Sequence, residues 1–219
     1  MMITADRAVY DEGNHLITNS LVSLPGRVVF EALDSIYGSA IFFLEEGDSA
    51  TMIFQSGKSD MERTEIRIIK AQTKEEYIAE QKQIHDIGDF QENRLLRRYI
   101  YDHQIKQEPV HNGMYIIPIA SGKGDTIKSG KMITISYKGY FLDGRVFNTT
   151  DPNSPLEFVY GTEMQVIPGL SIALGGMREG DKSKIIIPSH FAFGENGSST
   201  GVVPPFTTVI YEVEIIKVK

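Results

Sequence analysis

The residues of this 219-residue chain that could do chemistry are mostly apolar and aromatic, and they lie mainly in its second half. The chain has no cysteine, which excludes thiol catalysis, thiolate metal sites and disulfides. No serine lies in a nucleophile motif, no metal-ligand spacing occurs, and His190 is a lone imidazole that fits a surface loop better than a metal site. What remains is a set of side chains at predicted strand ends and in loops: Tyr137, Phe147, Phe158, Val166, Ile167, Leu170, Phe191, Phe193, Val202, Val203 and Tyr211.

An apolar, aromatic pocket without acid–base groups suits a reaction that needs no covalent step, and prolyl isomerisation is such a reaction. Amide resonance sets its barrier at about 18–20 kcal/mol. Moving an X–Pro amide out of water disfavours its polar planar form relative to the twisted transition state. A pocket whose shape favours the twisted amide then provides differential transition-state binding, with neither cofactor nor metal.

The stretch of residues 166–181 must position many of these side chains. Pro168 suits the first turn of a helix because its missing N–H costs nothing there, and Gly180 and Asp181 end the element. The helix has one apolar face, formed at helical spacing by Ile167, Leu170, Leu174 and Met177. Strand-like segments flank it at residues 132–137, 185–187 and 208–218. One short helix between strands predicts an α+β fold, with the helix laid across a curved antiparallel sheet.

The connections of this half carry further signals. Residues 115–119 read as a first strand, and Asp143-Gly144 is typical of a tight hairpin turn. Residues 191–194 and 202–205 are apolar and bracket the polar run ENGSST, so we expect them to line the rim of a cavity.

The first half repeats part of this pattern. Residues 39–56, SAIFFLEEGDSATMIFQS, resemble residues 171–189, and TEIRIIK at 64–70 resembles YEVEIIK at 211–217. The pattern predicts strands at 28–30, 51–54 and 64–70 and a helix at 33–46. Residues 1–20 show little periodicity and are expected to be either loosely ordered or dependent on a neighbouring segment. Internal duplication explains the repeat, and the alternative is that any helix–turn–strand unit looks like this. The first copy lacks early strands and counterparts of Tyr137 and Phe147, so we expect it to have exposed edges and no isomerase activity.

A charged, helix-prone stretch at residues 74–106 joins the two halves. Thr73 and Glu76 form a capping-box pattern, Gly88 is expected to divide the helical stretch, and Glu108-Pro109 to end it. Its three arginines, Arg94, Arg97 and Arg98, could bind phosphate, but a solvated basic face among many acids is the favoured interpretation.

From about residue 113 to 219 the sequence resembles the FKBP-type peptidyl-prolyl isomerases over essentially the whole domain. The matching pieces are ISYKGYFLDGRVFNTT (135–150), LEFVYG (156–161), VIPGL (166–170), MREGDKSKIIIPSHFAFG (177–194) and VVPPFTTVIYEVEII (202–216). The resemblance implies an antiparallel half-barrel wrapped around the Pro168 helix, with Leu170 at the floor of a pocket. It implies pocket walls made by Tyr137, Phe147, Val166, Ile167, Phe193 and Tyr211, and a substrate carbonyl held by the backbone N–H of Ile167.

Three positions depart from the family pattern. Asn148 stands where an aspartate is usual, Phe193 replaces a tyrosine whose hydroxyl binds the ligand, and Leu170 replaces an aromatic floor. We assign catalysis to Tyr137, Phe147, Asn148, Val166, Ile167, Leu170, Phe193 and Tyr211, and substrate binding to Phe158, Phe191, Val202 and Val203. The resemblance divides the chain into a degenerate FKBP-like region (1–72), a helical linker (73–109) and an isomerase domain (110–219).

The expected partners are unfolded or proline-containing polypeptides, and a macrolide ligand is a further option. A net charge of −7 without a basic stripe argues against nucleic acid. The chain shows neither a membrane-spanning apolar run nor an apolar signal core at its start. Similarity to extracytoplasmic bacterial FKBPs implies the cell envelope or periplasm, with the cytoplasm as the alternative. Two functions stay open: an isomerase that assists the folding of exported proteins, and a catalytically weak chaperone or peptide-binding module. The first half would then support client binding or a homodimer.

Overall fold

The computed structural model describes residues 1–20, 27–32, 41, 44–56, 60–111 and 113–219. These residues form two compact units, Met1–His85 and Asp86–Lys219. The boundary falls inside a long helix, so the two parts of the predicted helical linker belong to different units. The described helices include none with the length and apolarity needed to cross a lipid bilayer.

The first unit is built on an antiparallel sheet. Its strands are β1 (Met2–Tyr10), β2 (Leu16–Asn19), β3 (Val28–Glu31), β4 (Ser49–Ser56) and β5 (Asp60–Gln72). They lie in the order β2-β1-β5-β4, and β3 also pairs with β1. The predicted strands at 28–30, 51–54 and 64–70 are confirmed, and the predicted helix at 33–46 lies mostly outside the described residues.

Of the two expectations for residues 1–20, loose order is wrong. They form β1 and β2, and β1 pairs with β2, β3 and β5. Ile3 and Ala5 on β1 are fully buried together with Ile66 and Ile68 on β5. This burial holds the first strand in the sheet although its sequence carries charged residues.

The helix α1 (Lys74–Asp102) is continuous. The predicted capping box is confirmed, since the Thr73 N–H donates to the Glu76 carboxylate over 2.8 Å and the Glu76 N–H donates to the Thr73 hydroxyl over 3.1 Å. Gly88 does not divide the helix, and α1 ends at Asp102, before the predicted stop. A Cβ atom at Gly88 would lie 2.5 Å from the Phe206 ring, so the glycine makes room for a side chain that packs there.

Besides residues 86–102 of α1, the described part of the second unit contains a six-stranded antiparallel sheet, a second α-helix and a 3₁₀ turn. Its elements are β6 (Tyr115–Ala120), β7 (Met132–Phe141), β8 (Val146–Thr149), β9 (Leu156–Val159), α2 (Pro168–Leu174), β10 (Lys182–Ile187), the 3₁₀ turn Ser189–Phe191 and β11 (Val209–Val218). The sheet order is β6-β10-β11-β7-β8, and β9 also pairs with β7. Leu170 and Leu174 of α2 are buried in one core with the sheet. The predicted α+β arrangement, one short helix across an antiparallel sheet, is confirmed.

The helix α2 is shorter than its apolar spacing predicts. Pro168 opens it as expected, but it ends at Leu174 because Gly175 and Gly176 follow, and glycine is a poor helix former. Met177 is nevertheless buried, and its N–H donates to the Leu174 carbonyl over 3.0 Å. The apolar spacing therefore identified the buried residues and overestimated the length of the helix.

The second unit buries its sheet on both faces. A separate cluster packs Leu96 and Tyr99 of α1 against Ile186 of β10 and Ile210 of β11. Residues 86–102 of α1 are therefore part of the fold that positions the site.

Candidate active site

Four aromatic side chains from four segments of the second unit meet on the face of the sheet that carries α2. Tyr137 and Tyr211 have ring centroids 5.5 Å apart. Phe147 lies edge-on to Tyr211 at 5.7 Å and edge-on to Phe193 at 6.3 Å. We call these four residues the aromatic cup. Edge-to-face pairs at these separations are favourable for aromatic rings.

Strand geometry explains how the cup forms. Gly139 of β7 lies opposite Tyr211, and a Cβ atom at this position would be 2.8 Å from the Phe147 ring and 3.2 Å from the Tyr211 ring. The glycine therefore lets two rings close over the strand. The pairing of β7 with β8 passes from Asn148 to Val146 and leaves Phe147 in a bulge. A bulge redirects one side chain, and here that side chain is Phe147.

The entrance of α2 supplies the other side of the site. Val166 and Ile167 are half-buried and pack against the core that contains the cup, and Leu170 beneath them is 2% exposed. The Ile167 carbonyl accepts the Ser171 N–H over 3.1 Å. Within the described residues, the Ile167 N–H donates to no protein acceptor. It is therefore available to a ligand.

Two phenol groups lie in the cup, and both stay neutral near physiological pH. Burial raises the pKa of Tyr211 above its ordinary value, and the neighbouring Tyr137 adds to this. Burial also raises the pKa of Tyr137, while a hydrogen bond with the Asn148 side chain opposes the rise. Thr150 fixes the backbone of Tyr137, since its hydroxyl accepts the Tyr137 N–H and its own N–H donates to the Tyr137 carbonyl, each over 3.0 Å.

The structure gathers most of the residues assigned from the sequence into one apolar cluster. This cluster contains Tyr137, Phe147, Phe158, Val166, Ile167, Leu170, Phe191, Phe193, Val203 and Tyr211. Phe158 is buried core beneath the cup, and Asn148 is exposed and reaches the cup through the Tyr137 hydroxyl. Val202 lies outside the cluster and is 53% exposed.

Sequence reasoning missed two residues of the site. The Phe141 ring lies 5.1 Å from the Phe147 ring and supports it from behind. Thr150 holds Tyr137 as described above. The alternation of aromatic residues along β7 could have indicated Phe141, whereas no sequence signal identifies Thr150.

The chemistry of the site follows from this inventory. Among the described residues, no group of three or more histidine, aspartate and glutamate side chains is placed to hold a metal ion. The cup offers apolar ring surface, two neutral hydroxyl groups and one available backbone N–H. Such a site can take an amide out of water, hold its carbonyl and favour one geometry of it.

Comparison with known proteins gives consistent results. Residues 123–216 match the family described as FKBP-type peptidyl-prolyl cis-trans isomerase. The chain is 40% identical over 107 residues to an FK506-binding protein of Neisseria meningitidis serogroup B, a match that covers 48% of this chain and 96% of that protein. It is 35% identical over 109 residues to peptidyl-prolyl cis-trans isomerase Fkbp12 of Drosophila melanogaster, which covers 49% of this chain and 99% of that protein. The crystal structure of FkpA from Escherichia coli superposes with a TM-score of 0.53 at 25% identity and covers 64% of this chain and 63% of that one.

Proposed function

Because this chain belongs to the FKBP-type peptidyl-prolyl cis-trans isomerases, we propose that it isomerises X–Pro bonds in the aromatic cup and so assists the folding of exported polypeptides. The observation that carries the proposal is the meeting of Tyr137, Phe147, Phe193 and Tyr211 beside the available N–H of Ile167. The four rings come from four separate segments, and Ile167 lies at the start of α2, a fifth segment.

The mechanism follows from what the cup can do to an amide. The proline ring packs among the four aromatic rings, and the Ile167 N–H donates a hydrogen bond to a substrate carbonyl. The planar X–Pro amide is polar and is solvated in water, whereas its twisted transition state has lost resonance and is less polar. Transfer into the apolar cup therefore raises the ground state relative to the transition state. Shape complementarity to the twisted form adds to the difference.

A protease-coupled assay on the full chain with apolar-X–Pro peptides tests this function. We expect exchange faster than the uncatalysed background and a clear loss in Tyr137→Ala. The matched control is Tyr101→Ala, which removes a tyrosine that is 83% exposed on α1 and should leave the rate unchanged. A wild-type rate equal to background would refute the isomerase function.

A second function is a peptide-binding or chaperone module with weak turnover. It is favoured by two positions of the site, Asn148 and Phe193, where polar groups usual in the family are replaced. Phe193 offers no hydroxyl to a ligand, and Asn148 offers an amide where a carboxylate would accept a stronger hydrogen bond. Suppression of the aggregation of a denatured client by a variant with an inactive cup would support this module. The protease-coupled assay with FK506 added tests macrolide binding, which the name of the Neisseria relative suggests.

The proposal includes a cellular place and a role for the first unit. The similarity to extracytoplasmic bacterial FKBPs supports the cell envelope or periplasm over the cytoplasm, and cell fractionation tests this. The first unit exposes large apolar side chains, among them Ile17, Val29 and Ile53, which supports a role in client binding or in a homodimer. Light scattering on the full chain at tens of micromolar should show the dimer, and substitution of Ile53 by lysine should weaken it. A monomer under those conditions would leave client binding as the role of this unit.

A further inference from the structure

We infer that Glu92 of α1 is a positioning residue that fixes the rim of the aromatic cup, an inference that rests on the proposed function. Its side chain is 6% exposed. Its carboxylate accepts three hydrogen bonds: from the Ser189 N–H over 2.7 Å, from the Ser189 hydroxyl over 2.5 Å and from the Thr208 hydroxyl over 2.6 Å. We call Glu92, Ser189 and Thr208 the loop clamp.

The two partners of Glu92 stand at opposite ends of one loop, residues 188–208, which we call the rim loop. Ser189 begins the 3₁₀ turn after β10, and its carbonyl accepts the N–H groups of Ala192 and Gly194, each over 2.8 Å. These two residues flank Phe193 of the cup. Thr208 directly precedes β11, which carries Tyr211. One carboxylate thus holds the segment before Phe193 and the segment before Tyr211.

A second contact, one turn earlier on α1, holds the same loop. The Phe206 ring packs where a side chain at Gly88 would stand, and the Phe206 N–H donates to the Gly194 carbonyl over 3.1 Å. The far part of the rim loop is therefore tied both to α1 and to the residue that follows Phe193. The rim loop is therefore held by α1 near both of its ends.

The chemistry of the clamp indicates why a carboxylate is used. A buried carboxylate is costly unless it is hydrogen-bonded, and hydrogen bonds to a charged acceptor are the strong ones. All three of these donors belong to the rim loop. Glu92 and Gly88 precede the family match, which begins at residue 123. The helix α1 therefore contributes a contact to the site from outside the matched segment.

The test compares Glu92→Leu with Glu92→Gln in the full chain. Glutamine keeps an oxygen that accepts two of the donors, and its amide can donate to the Ser189 hydroxyl, so most of the clamp survives. We expect Glu92→Leu to lose about tenfold or more in kcat/KM, since small misplacements of a site are costly, and Glu92→Gln to recover most of it. The matched control is Glu75→Leu, which removes an exposed glutamate of the same helix and should act as wild type.

Amide hydrogen exchange provides a readout that does not depend on activity. In Glu92→Leu, the Ala192 and Gly194 amides should lose protection while β7 and β11 keep theirs. Thr208→Val removes one hydrogen bond of the loop clamp without changing the helix, so it should cause a smaller loss of amide protection. This variant replaces Glu92→Leu in the test if Glu92→Leu does not fold. Wild-type activity and protection in Glu92→Leu, or no recovery in Glu92→Gln, would overturn the inference. An inactive wild type would overturn the proposed function instead, and local loss of protection in Glu92→Leu would still support the clamp.

Discussion

The two sheets of this protein pair their strands in the same way. In each, a long strand (β1 or β7) pairs through one end with the strand that follows it and through the other end with the next short strand. Ile3 lies opposite Phe30 as Ile133 lies opposite Phe158. In each, the last strand (β5 or β11) lies between the long strand and β4 or β10. The second sheet adds β6 at its edge.

The irregularities of the two sheets coincide as well. The last strand leaves one isoleucine unpaired at the same place, Ile69 in β5 and Ile216 in β11. The Ser20 hydroxyl accepts the Arg7 N–H, and the Ser20 N–H donates to the Arg7 carbonyl. Thr150 makes the same two hydrogen bonds with Tyr137. Repeated irregularities support internal duplication more strongly than a shared strand order does. They also correct the expectation that the first copy lacks its early strands.

The pocket positions are where the two copies differ. By register, Tyr137 and Tyr211 of the second sheet correspond to Arg7 and Thr64 of the first. Phe147, in the bulge of β8, corresponds to Ile17 in the bulge of β2. The backbone frame has therefore been kept while the aromatic rings have not. The fold and the site of this protein are separable, and function depends on the side chains placed on the frame.

The outer faces of the sheets differ too, and this contrast gives the largest expected effect. Ile186 of β10 is 0% exposed beneath α1, whereas Ile53, at the corresponding position of β4, is 64% exposed. Ile186→Ala should cost about 2–5 kcal/mol because it opens a cavity. Ile53→Ala should change stability by no more than about 0.5 kcal/mol. Urea unfolding of the full chain measures both, and equal costs would show that α1 does not stabilise the second sheet.

The next effect concerns the rings themselves. Phe147→Ile places in the second sheet the residue that the first sheet has at this position. It should lower kcat/KM about tenfold, because Phe147 makes edge contacts with both Tyr211 and Phe193. The reverse change, Ile17→Phe, should create no activity in the first unit, since Arg7 and Thr64 remain. Wild-type activity in Phe147→Ile would mean that the cup tolerates the side chains of the first copy.

The sequence was sufficient for much of the second unit because its signals are local. Pro168 at a helix start and Asp143-Gly144 in a hairpin depend only on neighbouring residues, and both are confirmed. Strand β1 was missed because alanines and charged residues weaken the strand signal. The repeat of Met2-Ile3-Thr4 at Met132-Ile133-Thr134 was the signal that could have found it.

Other features could not be predicted because they depend on residues far apart in the chain. The partners of Glu92 lie 97 and 116 residues further along. Gly88 predicts a helix break from its low helix propensity, but its role is set by Phe206, which packs against it in three dimensions. The same distance in sequence hides the burial of Ile186 and Ile210 by α1. An experiment on residues 113–219 alone would remove this cover.

A smaller effect is expected from restoring the polar groups that the family usually has. In Asn148→Asp the new carboxylate accepts a charge-assisted hydrogen bond from the Tyr137 hydroxyl. In Phe193→Tyr a hydroxyl is added to a half-buried ring of the cup. Asn148→Asp strengthens an existing hydrogen bond and Phe193→Tyr adds one that is worth about 1 kcal/mol, so the double variant should gain about fivefold or more in activity or macrolide affinity. A folded double variant with wild-type behaviour would show that these two positions do not limit the pocket.

The smallest effect is expected from pH, which should affect the isomerisation rate and the free energy of unfolding differently. Tyr137 and Tyr211 have pKa values raised by burial, so both are neutral from pH 7 to 9, and the cup itself should contribute less than about a twofold change in rate across that range. Stability should behave differently above pH 10. There the unfolded chain loses tyrosine protons that the folded chain keeps, so the folded state binds more protons and its free energy of unfolding falls as pH rises. Unfolding midpoints at pH 8 and pH 10.5 should therefore differ less in Tyr211→Phe than in the wild type, while Tyr101→Phe, at an exposed position, should match the wild type. An equal fall in Tyr211→Phe would show that the Tyr211 hydroxyl is solvated in the folded protein and that the cup is wetter than its ring contacts indicate.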